Sequence, residues 1–271
     1  LSNRMAAQAG LANAHFHALS FAQGLEKDLP MFDYIVAHGV YSWVTGDVRA
    51  EVVEFIRRFL APGGIAYISY NTMPGHAQTA PVQKLVSHFG KKGEGDSSER
   101  VLKAFDFVQQ LHAVNTRALR DKPVVDMLLH SVAKEHPRYL AHEYLHSAWE
   151  PRYFIDVAAE MAKADLTYVG TATLFAADER FTVGPDHKAL LDALPTRVER
   201  EFIKDYLLDA NFRRDVYSRG ARVLAPQERD AELGKRAFAL RVNASAVNYI
   251  CQVGLAEVGI DLPGGLKAHA V

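Results

Sequence analysis

Residues 32–70 read FDYIVAHGVYSWVTGDVRAEVVEFIRRFLAPGGIAYISY, and this stretch decides the fold class. Phe32-Asp33-Tyr34-Ile35-Val36-Ala37 is a short, nearly continuous apolar run, the pattern of a strand buried on both faces of a parallel sheet, and His38-Gly39 ends it. From Asp47 to Leu60, Val48, Val52, Phe55, Ile56 and Phe59 recur at helical spacing. Pro62-Gly63-Gly64 stops that helix before a second apolar run, Ile65 to Tyr70. Strand, helix, Pro-Gly turn and strand make a βαβ unit, which predicts a doubly wound α/β sheet. Ligands in such sheets gather at the carboxyl ends of the strands. That rule singles out His38 to Trp43 and Tyr70 to Gly75.

Upstream, Ser2 to Ala9 reads as a helix ending at Gly10, and Ala14 to Phe21 as a strand, which adds Ser20-Phe21 to the strand ends. A chain that opens on Leu1 and enters a helix at once reads as starting within a domain. Downstream the period turns helical, with stripes at Val101, Leu102, Phe105, Val108, Leu111 and at Val124, Val125, Leu128, Leu129, Val132, preceded by a loop over Lys91 to Ser98. Helices at Pro151–Met161 and Pro195–Asp209 alternate with strands at Leu166–Leu174 and Phe212–Val223. This divides the chain into a partial core (1–76), a helical insertion (77–140), the remainder of the core (141–223) and a tail (224–271). The tail, with an apolar stretch from Ala237 to Val242, is assigned no fold.

Hydrophobic residues make up 49% and charged residues 23% of the 271, as in globular domains and unlike disordered or collagenous chains. Lys plus Arg (31) balance Asp plus Glu (32), so no net field draws the chain to nucleic acid or anionic lipid. A single cysteine, Cys251, allows no intrachain disulfide, which suits the reducing cytoplasm. No apolar run approaches the roughly 18 residues of a membrane span, so no membrane segment is expected.

Phe32-Asp33-Tyr34-Ile35 followed by Leu60-Ala61-Pro62-Gly63-Gly64 resembles the fourth strand and the turn before the fifth strand of class I methyltransferases that use S-adenosyl-L-methionine. Ala37-His38-Gly39-Val40-Tyr41-Ser42-Trp43-Val44 and Tyr67-Ile68-Ser69-Tyr70-Asn71-Thr72-Met73-Pro74-Gly75 narrow the resemblance. It becomes that of bacterial enzymes whose core is followed by a methyltransferase regulatory domain, a group similar to lysine methyltransferases acting on bacterial surface proteins. His142-Glu143-Tyr144-Leu145, Pro151-Arg152-Tyr153-Phe154 and Phe212-Arg213-Arg214 extend the resemblance over about Asn3 to Gly220. It implies a Rossmann-like sheet, S-adenosyl-L-methionine as cofactor, and a protein or small-molecule methyl acceptor, with protein lysine leading. The family's Gly-rich loop after the first strand and the acidic residue ending the second do not occur here, which implies an N-terminally truncated core and half a cofactor site. Ser20-Phe21 also stand where many such enzymes place an acidic residue near the adenine.

On this reading Ser20, Phe21, His38, Gly39 and Val40 are candidate cofactor contacts, with glycine permitting close backbone approach. Tyr41, Trp43 and Tyr70 are candidates for an aromatic pocket that tolerates a sulfonium or ammonium by cation–π attraction; the alternative is packing. Asn71, which donates and accepts at once, is a candidate for holding an amine, and His142 and Glu143 for a polar cluster facing substrate. His142-Glu143-x-x-His146 also matches the H-E-x-x-H zinc pattern. The downstream glycine and third histidine of that pattern are replaced by Trp149 and Arg152, and Pro151 follows closely, so no metal is assigned. Arg213-Arg214 reads as a solvated edge. Two other functions stand beside methyl transfer: a non-catalytic module whose insertion forms a homodimer, and a zinc peptidase.

Overall fold

The computed structural model describes residues 2–237, 250–253 and 256–259, in two units divided after Ala221. In the first unit, α1 (Ser2–Gln8) and α2 (Phe21–Leu25) precede β1 (Phe32–Ala37), α3 (Gly46–Phe59) and β2 (Leu60–Asn71). A helical layer follows: α4 (Ala80–Lys92), α5 (Ser97–Ala113), α6 (Pro123–Val132) and α7 (Pro137–Leu145). Then come α8 (Phe154–Ala162), β3 (Leu166–Thr171), α9 (Leu174–Ala177), α10 (Glu179–Thr182), α11 (Pro185–Asp192), α12 (Arg197–Leu207) and β4 (Phe212–Arg219). The second unit contains α13 (Pro226–Gly234) and an antiparallel pair, β5 (Ile250–Val253) with β6 (Ala256–Gly259). Most of the apolar stretch read between Ala237 and Val242 lies outside the described residues.

The four strands of the first unit lie in the order β1-β2-β4-β3. β1 and β2 are parallel, and β4 runs antiparallel to both of its neighbours, β2 and β3. The βαβ expectation is met by β1, α3 and β2. α3 buries Val52, Val53, Ile56 and Phe59, with Asp47 in its first turn and Arg57 and Arg58 in its last, charges that complement the helix dipole. A core of Ile56, Ile68, Tyr70, Phe154, Met161 and Tyr217 joins the sheet to α3 and α8. A separate core of Val86, Phe105, Val108, Leu129 and Leu140 holds α4 to α7 together.

The structure departs from the sequence expectations in five places. Ala14 to Phe21 forms no strand: Ser20 caps α2, its hydroxyl accepting from the Gln23 N–H in a capping box, and Phe21 begins the helix. β1 is not buried on both faces, for Tyr34 is 71% and Val36 65% exposed; among the described residues it pairs only with β2, and the face carrying Ile35 and Ala37 packs into the core. Pro62-Gly63-Gly64 does not separate helix from strand but bulges out of β2, with Phe32 paired to Leu60 and Tyr34 to Ile65. Gly63 takes φ +77 there, and a Cβ on Gly64 would stand 3.1 Å from the Asp33 carbonyl oxygen. The Lys91 to Ser98 loop shrinks to residues 93–96, because Asp96 caps α5 by accepting from the N–H groups of Ser98 and Glu99.

The fifth departure is Arg213, which is buried rather than solvated. Its guanidinium donates to Asp215 at 3.0 Å, to Asp205 at 2.5 Å and to the Tyr168 hydroxyl at 3.2 Å, and lies over the Phe154 ring at 4.1 Å from its centre. Glu201 sits 3.3 Å away and pairs with the equally buried Lys204. Removing one partner from a buried ionic cluster strands the others without water. Arg213→Met is therefore expected to lower unfolding stability by about 3–5 kcal/mol, measured by equilibrium urea denaturation.

Candidate active site

Parallel β1 and β2 deliver their carboxyl ends to one side of the sheet. At the end of β1, Gly39 takes φ +66, a conformation that strains residues with a Cβ, and its N–H donates to Ser69 Oγ at 2.8 Å. The His38 ring nitrogen Nδ1 lies 3.0 Å from the same oxygen and 3.2 Å from the Tyr67 hydroxyl. Val40 packs on the core, and its carbonyl accepts from the Trp43 N–H. Ser42, fully buried, clamps the two strand ends: its hydroxyl accepts from the Asn71 N–H at 2.9 Å and donates to the Asn71 carbonyl at 3.3 Å.

Beyond Asn71 the chain is pinned on both sides. Thr72 Oγ1 donates to the Arg152 carbonyl at 2.7 Å, and the Arg152 N–H to the Asn71 carbonyl at 2.9 Å. On the other side the Thr72 N–H donates to the Asn211 carbonyl and the Gly75 N–H to the Ala210 carbonyl. A Cβ on Gly75 would stand 2.5 Å from the Ala210 carbonyl oxygen, so this approach requires glycine.

These loops border a cavity of about 340 Å³. Asn71, His76, Glu143 and Asn211 give it polar groups, Val124, Met127 and Leu128 of α6 an apolar wall, and Tyr144 and Trp149 aromatic surface. Trp149 meets the His76 ring edge-on at 5.4 Å. Burial pushes the His76 imidazole down, against the opposing pull of the Asn211 backbone and Asp209, which favours its neutral form. Burial pushes the Glu143 carboxyl up, with His142 partly offsetting it, and the Tyr144 hydroxyl well up. The cavity thus combines an apolar wall with a carboxyl and an imidazole whose proton affinities are both displaced toward neutral forms.

Of the sequence candidates, the structure brings Asn71 and Glu143 into this cavity. Trp43 and His142 stack on each other, their rings 5.1 Å apart and inclined by 26°, and His146 meets the same indole edge-on at 5.6 Å. Both imidazoles of the H-E-x-x-H pattern thus pack on Trp43, and His146 lies past the end of α7 at Leu145. Among the described residues no group of three His, Cys, Asp or Glu side chains is gathered as a metal would need.

Tyr41 and Tyr70 go elsewhere. Both are buried in the core, the Tyr41 hydroxyl donating to Glu160 and that of Tyr70 to Asp215 at 2.5 Å. Successive strand residues face opposite ways, so Asn71 reaches the cavity while Tyr70 points into the core, and the expected three-aromatic pocket is not assembled. Phe21 packs on α3 against Phe55 at 6.4 Å, and Ser20 and Phe21 line a second cavity of about 530 Å³ that also touches Leu29, Pro30 and Phe32, away from the carboxyl end of β1. His76, Tyr144, Trp149 and Asn211 were not singled out from sequence. His76 directly follows the Tyr67–Gly75 string, whereas Asn211 and the α6 wall carry no local signal.

Residues 136–219 match the family described as a predicted methyltransferase regulatory domain, a segment running from the cap of α7 through β4. The uncharacterized protein sll1526 of Synechocystis is 36% identical over 257 residues, which are 95% of this chain and 51% of that protein. The uncharacterized protein RP789 of Rickettsia prowazekii is 29% identical over 209 residues, 74% of this chain and 37% of that one. The structure of PKMT2 from Rickettsia typhi in complex with AdoHcy matches with a TM-score of 0.69 and 24% identity, over 84% of this chain and 44% of that one. The chain thus shares its fold with that structure, contains a segment that matches the methyltransferase regulatory family, and spans about half the length of the Synechocystis relative.

Gly75→Ala tests the geometry directly. The methyl group has no room beside Ala210, and the variant is expected to lose about 1–3 kcal/mol in urea denaturation, as overpacked sites do.

Proposed function

We propose that this chain supplies the acceptor-binding side of an S-adenosyl-L-methionine-dependent methyltransferase whose acceptor is a protein lysine. The observation that carries this reading is the cavity at the end of β2, where an apolar wall leads to Asn71, Glu143 and the aromatic surface of Trp149. A lysine has that form, a long apolar stem with a polar tip. The fold match to PKMT2, solved with AdoHcy, supports the same chemistry. In this reading residues 1–76 and 141–223 belong to the methyltransferase core, and the insertion 77–140 closes the acceptor side. The balanced charge and single cysteine lead us to assign it to the reducing cytoplasm.

The turn at His38-Gly39 fits one side of a nucleoside cofactor. Among the described residues, no atom beyond Gly39 and its two chain neighbours lies within 4 Å of the position a Gly39 Cβ would take, so open space covers a backbone held by Ser69. His38 and Gly39 are the residues we assign to that side; Ser20 and Phe21, which lie with Leu29, Pro30 and Phe32 at the start of β1, and Val40, which packs on the core, are not assigned to it. When bound, S-adenosyl-L-methionine supplies an electrophilic methyl group on a sulfonium sulfur. The chain's own residues do the rest. Met127 and Leu128 line the lysine stem, Asn71 orients the nitrogen, and the Glu143 carboxylate, made more basic by burial, takes a proton from the ammonium so that its lone pair is free. The neutral His76 imidazole offers a second acceptor at the same cavity.

Isothermal titration with S-adenosylhomocysteine separates the outcomes. Binding is expected for a version extended at its N-terminus and little or none for this chain; failure of both defeats the reading. In the extended version, Glu143→Gln is expected to lower kcat by at least about 100-fold with a small change in KM. Its raised proton affinity makes the rate climb with pH at values above the ordinary glutamate range, and the variant should lose that rising limb.

A further inference from the structure

The cluster around Arg213 carries an unbalanced charge. Glu201, Asp205 and Asp215 supply three carboxylates, while Lys204 and Arg213 supply two cations, and all five are largely buried. A buried unit charge without a partner is costly, so the excess must be neutralised somewhere. The hydrogen bonds show where. Both oxygens of Asp215 accept from Arg213, and one of them from Tyr70 as well. Glu201 accepts from Lys204 on one oxygen and from Tyr168 and Arg213 on the other. Asp205 Oδ1 accepts from Arg213, but its Oδ2 is buried and has no partner among the described residues, the side chain being only 4% exposed. A cavity of about 80 Å³ touches the Asp205 residue together with Thr171, Thr173, Lys204 and Phe212, with room for water close to the side chain. Asp205 also sits in the last turn of α12, where the negative end of the helix dipole disfavours a carboxylate.

The surrounding elements present these titratable groups to it: Glu201, Lys204 and exposed Tyr206 from α12, Arg213 and Asp215 from β4, Tyr168 from β3 and Tyr70 from β2. Asp209, exposed in the turn after α12, adds a further negative charge nearby.

We propose that Asp205 is a proton-binding site, and that its proton sets the position of the 208–211 turn that walls the active-site cavity. The link is a run of backbone hydrogen bonds. The Asp205 carbonyl accepts from the Ala210 N–H at 2.9 Å, the Ala210 carbonyl from the Gly75 N–H at 3.0 Å, and the Asn211 carbonyl from the Thr72 N–H at 2.9 Å. Asp209 between them holds φ +45, and Gly75 is packed too tightly against Ala210 to absorb a displacement. When Asp205 ionises, its free oxygen draws water into the cavity and loosens the last turn of α12. Burial, reinforced by Asp215 and Glu201 and opposed by Arg213, pushes the carboxyl from 3.8 up to about 7. A carboxyl raised on folding stabilises the fold below its ordinary value, and that contribution is lost as pH rises through about 7. The proton site stands without the methyl-transfer reading; only its effect on turnover rests on that reading.

The test is a titration of the full 271-residue chain, following the Asp205 carboxyl carbon and the Gly75 and Asn211 amides by NMR from about pH 5 to about pH 9. The amides are also followed in His76→Gln, which removes the other titrating group at that turn. The carboxyl should titrate with a midpoint near 7, the amides should follow it in both proteins, and Asp205→Asn should abolish the shared transition. A carboxyl ionised throughout the range overturns the proposal, and so do amides that stay still or that move only while His76 is present. The wild-type and His76→Gln titrations decide the matter even if Asp205→Asn fails to fold, and neither depends on cofactor binding.

Discussion

Arg213 is the interaction on which the rest of the first unit depends. It sits in β4 opposite Tyr70 of β2, reaches Tyr168 of β3 and Asp205 of α12, and covers the Phe154 ring at the start of α8. One guanidinium thereby ties together two strands, β3 and β4, and two helices, α8 and α12. A planar, permanently charged fork with five donors is suited to this in a way that a lysine is not. The antiparallel placement of β4 between β2 and β3, which defines the fold, is organised around a group whose desolvation must be compensated by carboxylates from several elements.

The cavity inherits its shape from that arrangement. β4 begins at Phe212, so the turn that precedes it must come up beside the end of β2, and Gly75 is the residue that permits the contact. On the opposite side, Ser42 and Arg152 hold the end of β2 to the β1 loop and to the segment before α8. The helical layer, with its own core, then contributes α6 and α7 as the remaining walls. Trp43 reaches across to His142 and His146, so it connects the loop after β1 to α7 instead of lining a three-ring pocket.

Legibility in the sequence followed the range of the physics. β1 and α3 were read within a residue or so, because a continuous apolar run and a helical stripe are local patterns with local causes. Ala14 to Phe21 was misread as a strand, since loose alternation says nothing about whether a partner strand exists, and a Ser-x-x-Gln capping box at Ser20 outcompeted it. Arg213 was misread as solvated because an isolated basic pair usually lies on the surface; the carboxylates that bury it include Glu201 and Asp205, on a different element. Asn71 and Glu143 were picked from sequence strings and do line one cavity, whereas Tyr70, chosen from the same string as Asn71, faces the other way.

By itself the sequence determined the βαβ unit, the helical character of residues 80–145, the glycines that punctuate the strand ends, and the resemblance that points to methyl transfer, all of which rest on neighbours a few residues apart. Only the tertiary structure decided that β4 enters between β2 and β3, that Asn71, His76, Glu143 and Asn211 share one cavity, and that three buried carboxylates face two cations. Those facts depend on which distant segments meet and how much water is excluded where they do, and neither proximity nor desolvation is encoded in the spacing along the chain.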